Sequence, residues 1–101
     1  MGASFESIPI FPHGLYGIII SKNAKIGKNC TIFHQVTIGE GKDGAPCIGN
    51  NCYIGAGAKI IGKIKIGNNV KIGANCVVIE DIPDNSIVVL EKTRIIIRRG
   101  D

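Results

Sequence analysis

The sequence contains no tryptophan, and aromatic residues are only 5% of its 101, so large rings cannot dominate its core. Long apolar runs are also missing. The longest, such as Ile18–Ile20 and Ile87–Leu90, fall far short of the ~20 residues that cross a bilayer as a helix. No charged N-terminal stretch leads into an apolar one, so no secretory leader is expected, and the cytoplasm is the expected compartment. Four cysteines (Cys30, Cys47, Cys52, Cys76) never fall in C-x-x-C spacing, which removes the usual zinc and dithiol motifs. With two histidines, His13 and His34, a three-histidine zinc centre is excluded as well, and no metal site is expected. The formal charge is +4, yet the lysines stand singly and only Arg98 and Arg99 are adjacent. Nucleic-acid interfaces need clustered basic residues. Spread charge reads as a solvated surface, with a small anion a better partner than DNA.

What the chain has instead is order at a fixed period. Isoleucine recurs every six residues at Ile20, Ile26, Ile32 and Ile38, then at Ile48, Ile54, Ile60, Ile66 and Ile72, with Val78 closing the series. Glycine follows directly at Gly27, Gly39, Gly49, Gly55, Gly67 and Gly73. Asparagine stands three positions on at Asn23, Asn29, Asn51, Asn69 and Asn75. Four positions on comes a small or β-branched residue: Ala24, Cys30, Val36, Cys52, Ala58, Val70 and Cys76. Coordinated columns of this kind are the mark of a repeat architecture.

A six-residue side holds a short strand with one inward apolar residue, followed by a turn where Asn and Gly tolerate positive φ. Three sides close a triangular coil of eighteen residues, and coils stack at the strand spacing of ~4.8 Å. The expected fold is all-β, a parallel β-helix stabilised between neighbouring coils. Cys30, Cys52 and Cys76 then lie in the small inward column as core residues, consistent with a reducing compartment, whereas Cys47 falls outside it. The expected organisation is a lead-in over 1–7, the β-helix over 8–84 and a tail over 85–101. The one long interruption, residues 39–47, reads as a loop ejected from the solenoid, and such loops usually carry function. A prism of about four coils leaves apolar sides and open ends exposed, which predicts a homotrimer.

The repeat resembles that of the hexapeptide-repeat acyltransferases, over about Ile8 to Ile82, which implies a left-handed β-helix. Periodicity does not supply the hand, and right-handed crossovers are the general preference. More narrowly, Pro12-His13-Gly14-Leu15-Tyr16-Gly17-Ile18-Ile19-Ile20 resembles the catalytic-histidine segment of serine O-acetyltransferases. Val36-Thr37-Ile38-Gly39, the Gly41-Lys42 loop and Pro46-x-Ile48-Gly49 are similar to that family's substrate and cofactor loop. Two further stretches, Ile54–Gly62 and Lys71–Val78, look like its acetyl-CoA-binding coils. The resemblance implies an acetyl-CoA-dependent O-acetyltransferase acting on L-serine in cysteine biosynthesis. It gives His13 as general base, since a neutral hydroxyl needs a base poised near neutral pH. It gives Gly41, Ala56, Lys71 and Ala74 to acetyl-CoA and Lys42 to the substrate, with the site between neighbouring prisms.

The departures from the family are specific. The family's aspartate that orients the histidine would fall before Met1, as would its helical N-terminal domain. A substrate-binding aspartate is replaced by Pro12, and an Arg-His pair in the loop gives way to Ala45. His34 stands where glutamine is usual and is expected to stack near Tyr16. Of the family's G-x-P-A-R segment, Leu90–Arg94 keeps only Arg94. These changes spare the cofactor residues and alter the amino-acid site. Two other readings follow: transfer to a sugar hydroxyl in polysaccharide synthesis, or a trimeric solenoid that does not catalyse.

Overall fold

The structure is a computed structural model that describes residues 3–100; Met1, Gly2 and Asp101, in the two expected terminal segments, lie outside the described residues. The elements are β1 (Ser4–Phe5), β2 (Ile19–Ile20), β3 (Lys25–Ile26), β4 (Thr31–Ile32), β5 (Thr37–Gly39) and β6 (Cys47–Ile48). They continue with β7 (Tyr53–Ile54), β8 (Lys59–Ile61), β9 (Lys65–Ile66), β10 (Lys71–Ile72), β11 (Val77–Val78) and β12 (Ile87–Val88). Among the described residues there is no helix.

Strands three apart in sequence, or two apart at the ends (β1 with β3, β10 with β12), pair in parallel and build three four-stranded sides. Side one stacks β1, β3, β6 and β9; side two stacks β4, β7, β10 and β12; side three stacks β2, β5, β8 and β11. Together they make a left-handed parallel β-helix of about five turns. The inward isoleucines lie in register, Ile26 on Ile48 on Ile66, Ile32 on Ile54 on Ile72, and Ile20 on Ile38 on Ile60. From Ile26 to Val78 every inward residue of that series is at most 3% exposed. The small column, from Ala24 to Cys76, is buried with them, so the three cysteines in it are core residues.

Two columns have physical reasons the sequence reading did not separate. At the corners Asn29, Asn51, Asn69 and Asn75 take φ near +60°, where asparagine is tolerated. Asn23 does not; its amide joins Ser21 in donating to Glu40 Oε1, which pins the start of the 39–47 loop. The glycines after the inward isoleucines are not at positive φ either. At Gly27, Gly49, Gly55 and Gly67 the reason is close approach to backbone: a Cβ on Gly49 would sit 2.7 Å from the Gly67 carbonyl oxygen of the next coil.

The period breaks in more places than the one expected loop. The regular step is 18 residues, as from Ile48 to Ile66, but Ile26 pairs with Ile48 and Ile38 with Ile60, a step of 22. That extra length is the 39–47 loop, closed by paired Gly41 and Gly44. Phe5 pairs with Ile26, a step of 21, so a second insertion of three residues lies upstream, at residues 12–17. Near the other end Ile72 pairs with Val88, a step of 16. Pairing thus runs from Ser4 to Val88, past both expected bounds at 8 and 84, and residues 89–100 carry no strand.

Candidate functional site

The insertion at 12–17 lifts His13 out of the first coil at the corner between sides two and three. The turn closes with Gly14 N–H donating to the Phe11 carbonyl at 3.0 Å, and Gly14 and Gly17 hold φ of 71° and 66°. Gly17 is also pressed against Gln35 of the coil above, where a Cβ would meet Gln35 Cα at 3.3 Å. Gln35 N–H donates to the Tyr16 carbonyl, which places His34 one coil above Tyr16 as expected.

His13 is exposed, and its ring meets two others. It lies 5.0 Å from the His34 ring, edge-on at 76°, and 5.7 Å from the Phe33 ring. Phe33 in turn lies 5.0 Å from Tyr53, and Lys71 Nζ sits 5.2 Å over the Tyr53 ring, a cation–π contact. A continuous stripe of side chains therefore climbs side two from His13 to Lys71. Tyr53 and Lys71 are paired partners on β7 and β10, and both point outward.

The corner beside this stripe is built from small residues. His34, Ala56 and Ala74 hold the same place in three successive coils, two residues after Ile32, Ile54 and Ile72. Their backbones are bonded coil to coil: Gly57 N–H donates to the His34 carbonyl and Asn75 N–H to the Ala56 carbonyl. Ala56 is half-buried and Ala74 exposed, so the corner above His34 presents methyl groups and backbone. Such a surface suits a narrow, extended acyl arm. Lys71, above the aromatic rings, is the cation available to an anionic end.

Gly41 and Lys42 sit at the next corner, between sides three and one, with all of side three between them and His13. Lys42 is exposed at the loop tip, and both residues line a 320 Å³ cavity with Lys63 and Ile79. One chain thus brings His13, Ala56, Ala74 and Lys71 together and places Gly41 and Lys42 elsewhere. Cys47 faces outward on β6, between Lys25 and Lys65. Inside the prism, a hydrogen bond with Cys30 and then burial push the Cys52 thiol well above its ordinary value. No group of three or more His, Cys, Asp or Glu suited to a metal occurs among the described residues.

Sequence reasoning missed Phe33 and Tyr53. A signal was present for the first: Phe33 occupies the place that glycine fills at 27, 39, 49, 55, 67 and 73.

Residues 48–80 match the family model described as bacterial transferase hexapeptide (six repeats). An Escherichia coli protein provisionally named a colanic acid biosynthesis acetyltransferase is 48% identical over 82% of this chain and 52% of its own length. A serine acetyltransferase of Bacillus subtilis is 40% identical over 98% of this chain and 47% of its own. This chain therefore spans about half the length of these relatives. Among solved structures, serine acetyltransferase isoform 3 of Entamoeba histolytica, in complex with cysteine, superposes with a TM-score of 0.85. It is 38% identical, and the match covers 98% of this chain and 36% of that one. Serine acetyltransferase of Neisseria gonorrhoeae in complex with serine gives 0.83 at 38% identity, over 89% of this chain and 38% of that one. The six-residue columns, the left-handed coil and these likenesses agree: the chain belongs to the hexapeptide-repeat acyltransferases, within the serine O-acetyltransferase family.

Proposed function

We propose that the chain performs acetyl transfer from acetyl-CoA to a hydroxyl group, with L-serine as the first acceptor, in cytoplasmic cysteine biosynthesis. The observation that carries this reading is the corner where exposed His13 meets His34 beneath the methyl column of Ala56 and Ala74. Acetyl-CoA supplies an acyl group activated as a thioester. His13 takes the proton of the acceptor hydroxyl as its oxygen attacks the thioester carbonyl, and returns that proton to the departing sulfur. An imidazole suits both transfers because its pKa lies near neutrality. Ala56 and Ala74 let the pantetheine arm lie against the corner backbone, and Lys71 answers the charge of the nucleotide end.

The division of the site between two corners supports a homotrimer. Side three and its edge expose Ile19 at 63%, Val77 at 65% and Ile79 at 68%, apolar surface that a second chain would cover. Packing there would bring the Gly41-Lys42 loop of one chain toward the His13 corner of its neighbour, uniting the cofactor and substrate residues.

A sugar hydroxyl is the second reading, favoured by what surrounds His13. Its ring neighbours are Phe33 and His34, with Tyr53 beyond, flat apolar faces of the kind a sugar ring packs against. The Escherichia coli relative named for colanic acid biosynthesis points the same way.

The test is mass-spectrometric detection of acetylated products from acetyl-CoA with L-serine and a panel of sugars. His13→Ala should lower the rate by ~10²–10⁴-fold while CoA binding persists. Full activity in His13→Ala overturns the mechanism. CoA binding without transfer to any acceptor supports the non-catalytic solenoid.

A further inference from the structure

The proton transfer above leaves one feature of the corner unused. His34 Nδ1 is buried and, among the described residues, is the one buried side-chain nitrogen or oxygen without a hydrogen-bond partner. Folded proteins rarely leave such an atom unpaired, because its lost hydration is not recovered. Several polar groups of the neighbouring backbone are already committed. Gly57 N–H donates to the His34 carbonyl, and Gln35 N–H donates to the Tyr16 carbonyl. The Lys59 ammonium donates to the Gly57 carbonyl. Beside His34 lies the ring of His13, edge-on with centroids 5.0 Å apart. At that centroid separation the two rings are close enough for an N–H···N bond once their nitrogens face each other. The place in the coil makes the side chain more telling: the next two residues in this column are alanines.

Resting on the reading of His13 as base, we propose that His34 is its positioning residue, with His34 Nδ1 accepting the N–H of the His13 ring. A neutral imidazole has one N–H. Spending it on His34 fixes the tautomer of His13 and leaves the other ring nitrogen unprotonated toward the acceptor hydroxyl. When His13 takes the acceptor proton, both its nitrogens carry hydrogen, and the bond to His34 steadies the imidazolium. The proton of His34 itself stays on Nε2 throughout. Outer partners of this kind hold the reacting ring in one orientation, and losing them typically costs ~10–100-fold.

The experiment uses the full chain labelled with ¹⁵N-histidine. In the parent, NMR should show His13 as a single tautomer, with a coupling across an N–H···N bond to His34. In His34→Leu both His13 tautomers should appear, and kcat should fall ~10–100-fold with KM for acetyl-CoA unchanged. The acid limb of the kcat/KM profile should move to lower pH, because the bond favouring the imidazolium is gone. His34→Gln should restore tautomer, rate and profile, since its amide oxygen accepts the same bond. The other titratable groups around the pair, Tyr16, Tyr53, Lys59 and Lys71, are present in every variant, so differences report position 34. A mixed His13 tautomer in the parent overturns the proposal without needing any variant. So does a single tautomer retained in His34→Leu, or failure of glutamine to restore it. Loss of activity in His13→Ala with those results would leave the acetyltransferase reading standing and remove only the role of His34.

Discussion

Gly39 and Gly49 follow inward isoleucines at the same place in the repeat, and replacing each by alanine separates two reasons for glycine there. Neither takes positive φ, so alanine strains neither backbone. At Gly39 the new methyl meets Ile61 Cδ1 at 2.9 Å, the far end of a half-buried side chain that can turn aside. At Gly49 it meets the Gly67 carbonyl oxygen at 2.7 Å and the carbonyl carbon at 2.8 Å, backbone atoms fixed in the next coil. Relief requires lifting one coil from the other. The bonds closing that seam run from Gly49 N–H to the Ile66 carbonyl at 2.9 Å and from Asn50 N–H to Asn68 Oδ1 at 2.8 Å. Two weakened bonds at ~1 kcal/mol each and ~1–3 kcal/mol of overpacking outweigh the ~0.4–1 kcal/mol gained from a stiffer unfolded chain. Gly49→Ala should therefore lose about 2–4 kcal/mol, and Gly39→Ala should stay within ~1 kcal/mol of the parent. Urea unfolding followed by far-ultraviolet circular dichroism, at one protein concentration, measures both. Equal damage at the two positions, or a Gly49→Ala protein as stable as the parent, would refute close approach as the reason for the glycine column.

Two further outcomes follow from the site and the core. Ala74→Leu, at an exposed corner, should keep the parental unfolding midpoint yet weaken CoA binding at least tenfold by calorimetry, a loss of ~1.4 kcal/mol; unchanged affinity would remove Ala74 from the cofactor surface. Iodoacetamide should label Cys47 alone in the native protein, because Cys30, Cys52 and Cys76 are buried; native labelling at Cys52 would contradict the packing.

Much of this fold was legible because a solenoid repeats the same physical problem in every coil. Each side needs one inward residue of isoleucine size and one small residue behind it, so the columns from Ile26 to Val78 could be read directly. Legibility failed where a column changed its chemistry. Upstream of Ile20 the inward place on side one goes to Phe5, in register with Ile26, and Phe11 packs against the core. An isoleucine search passes over both, and with them the three-residue insertion that carries His13. The last coil is hard to read from the period for a related reason. The step from Val78 to Ile82 is four residues, so β12 at Ile87–Val88 falls out of phase although it still pairs with β10. Asn23 looked like a corner residue by spacing, and only the position of Glu40 shows that it tethers the loop.

These failures of periodicity coincide with the proposed site, and the reason is physical. A strict repeat gives every coil the same surface, so nothing in it can hold a single base beside a single acceptor. His13 stands clear of the prism because three extra residues bulge the first corner. Lys42 stands clear because four extra residues bulge the next one. Between those bulges, two columns change without any change in length. Phe33 takes a glycine place and turns an open seam into an aromatic wall that reaches Tyr53. His34 takes a place held by alanine in the two coils above, and its ring, with an unpaired nitrogen, lies beside that of His13. Regular coils supply a rigid frame with fixed spacing, and each departure from regularity adds one group that the frame alone could not provide.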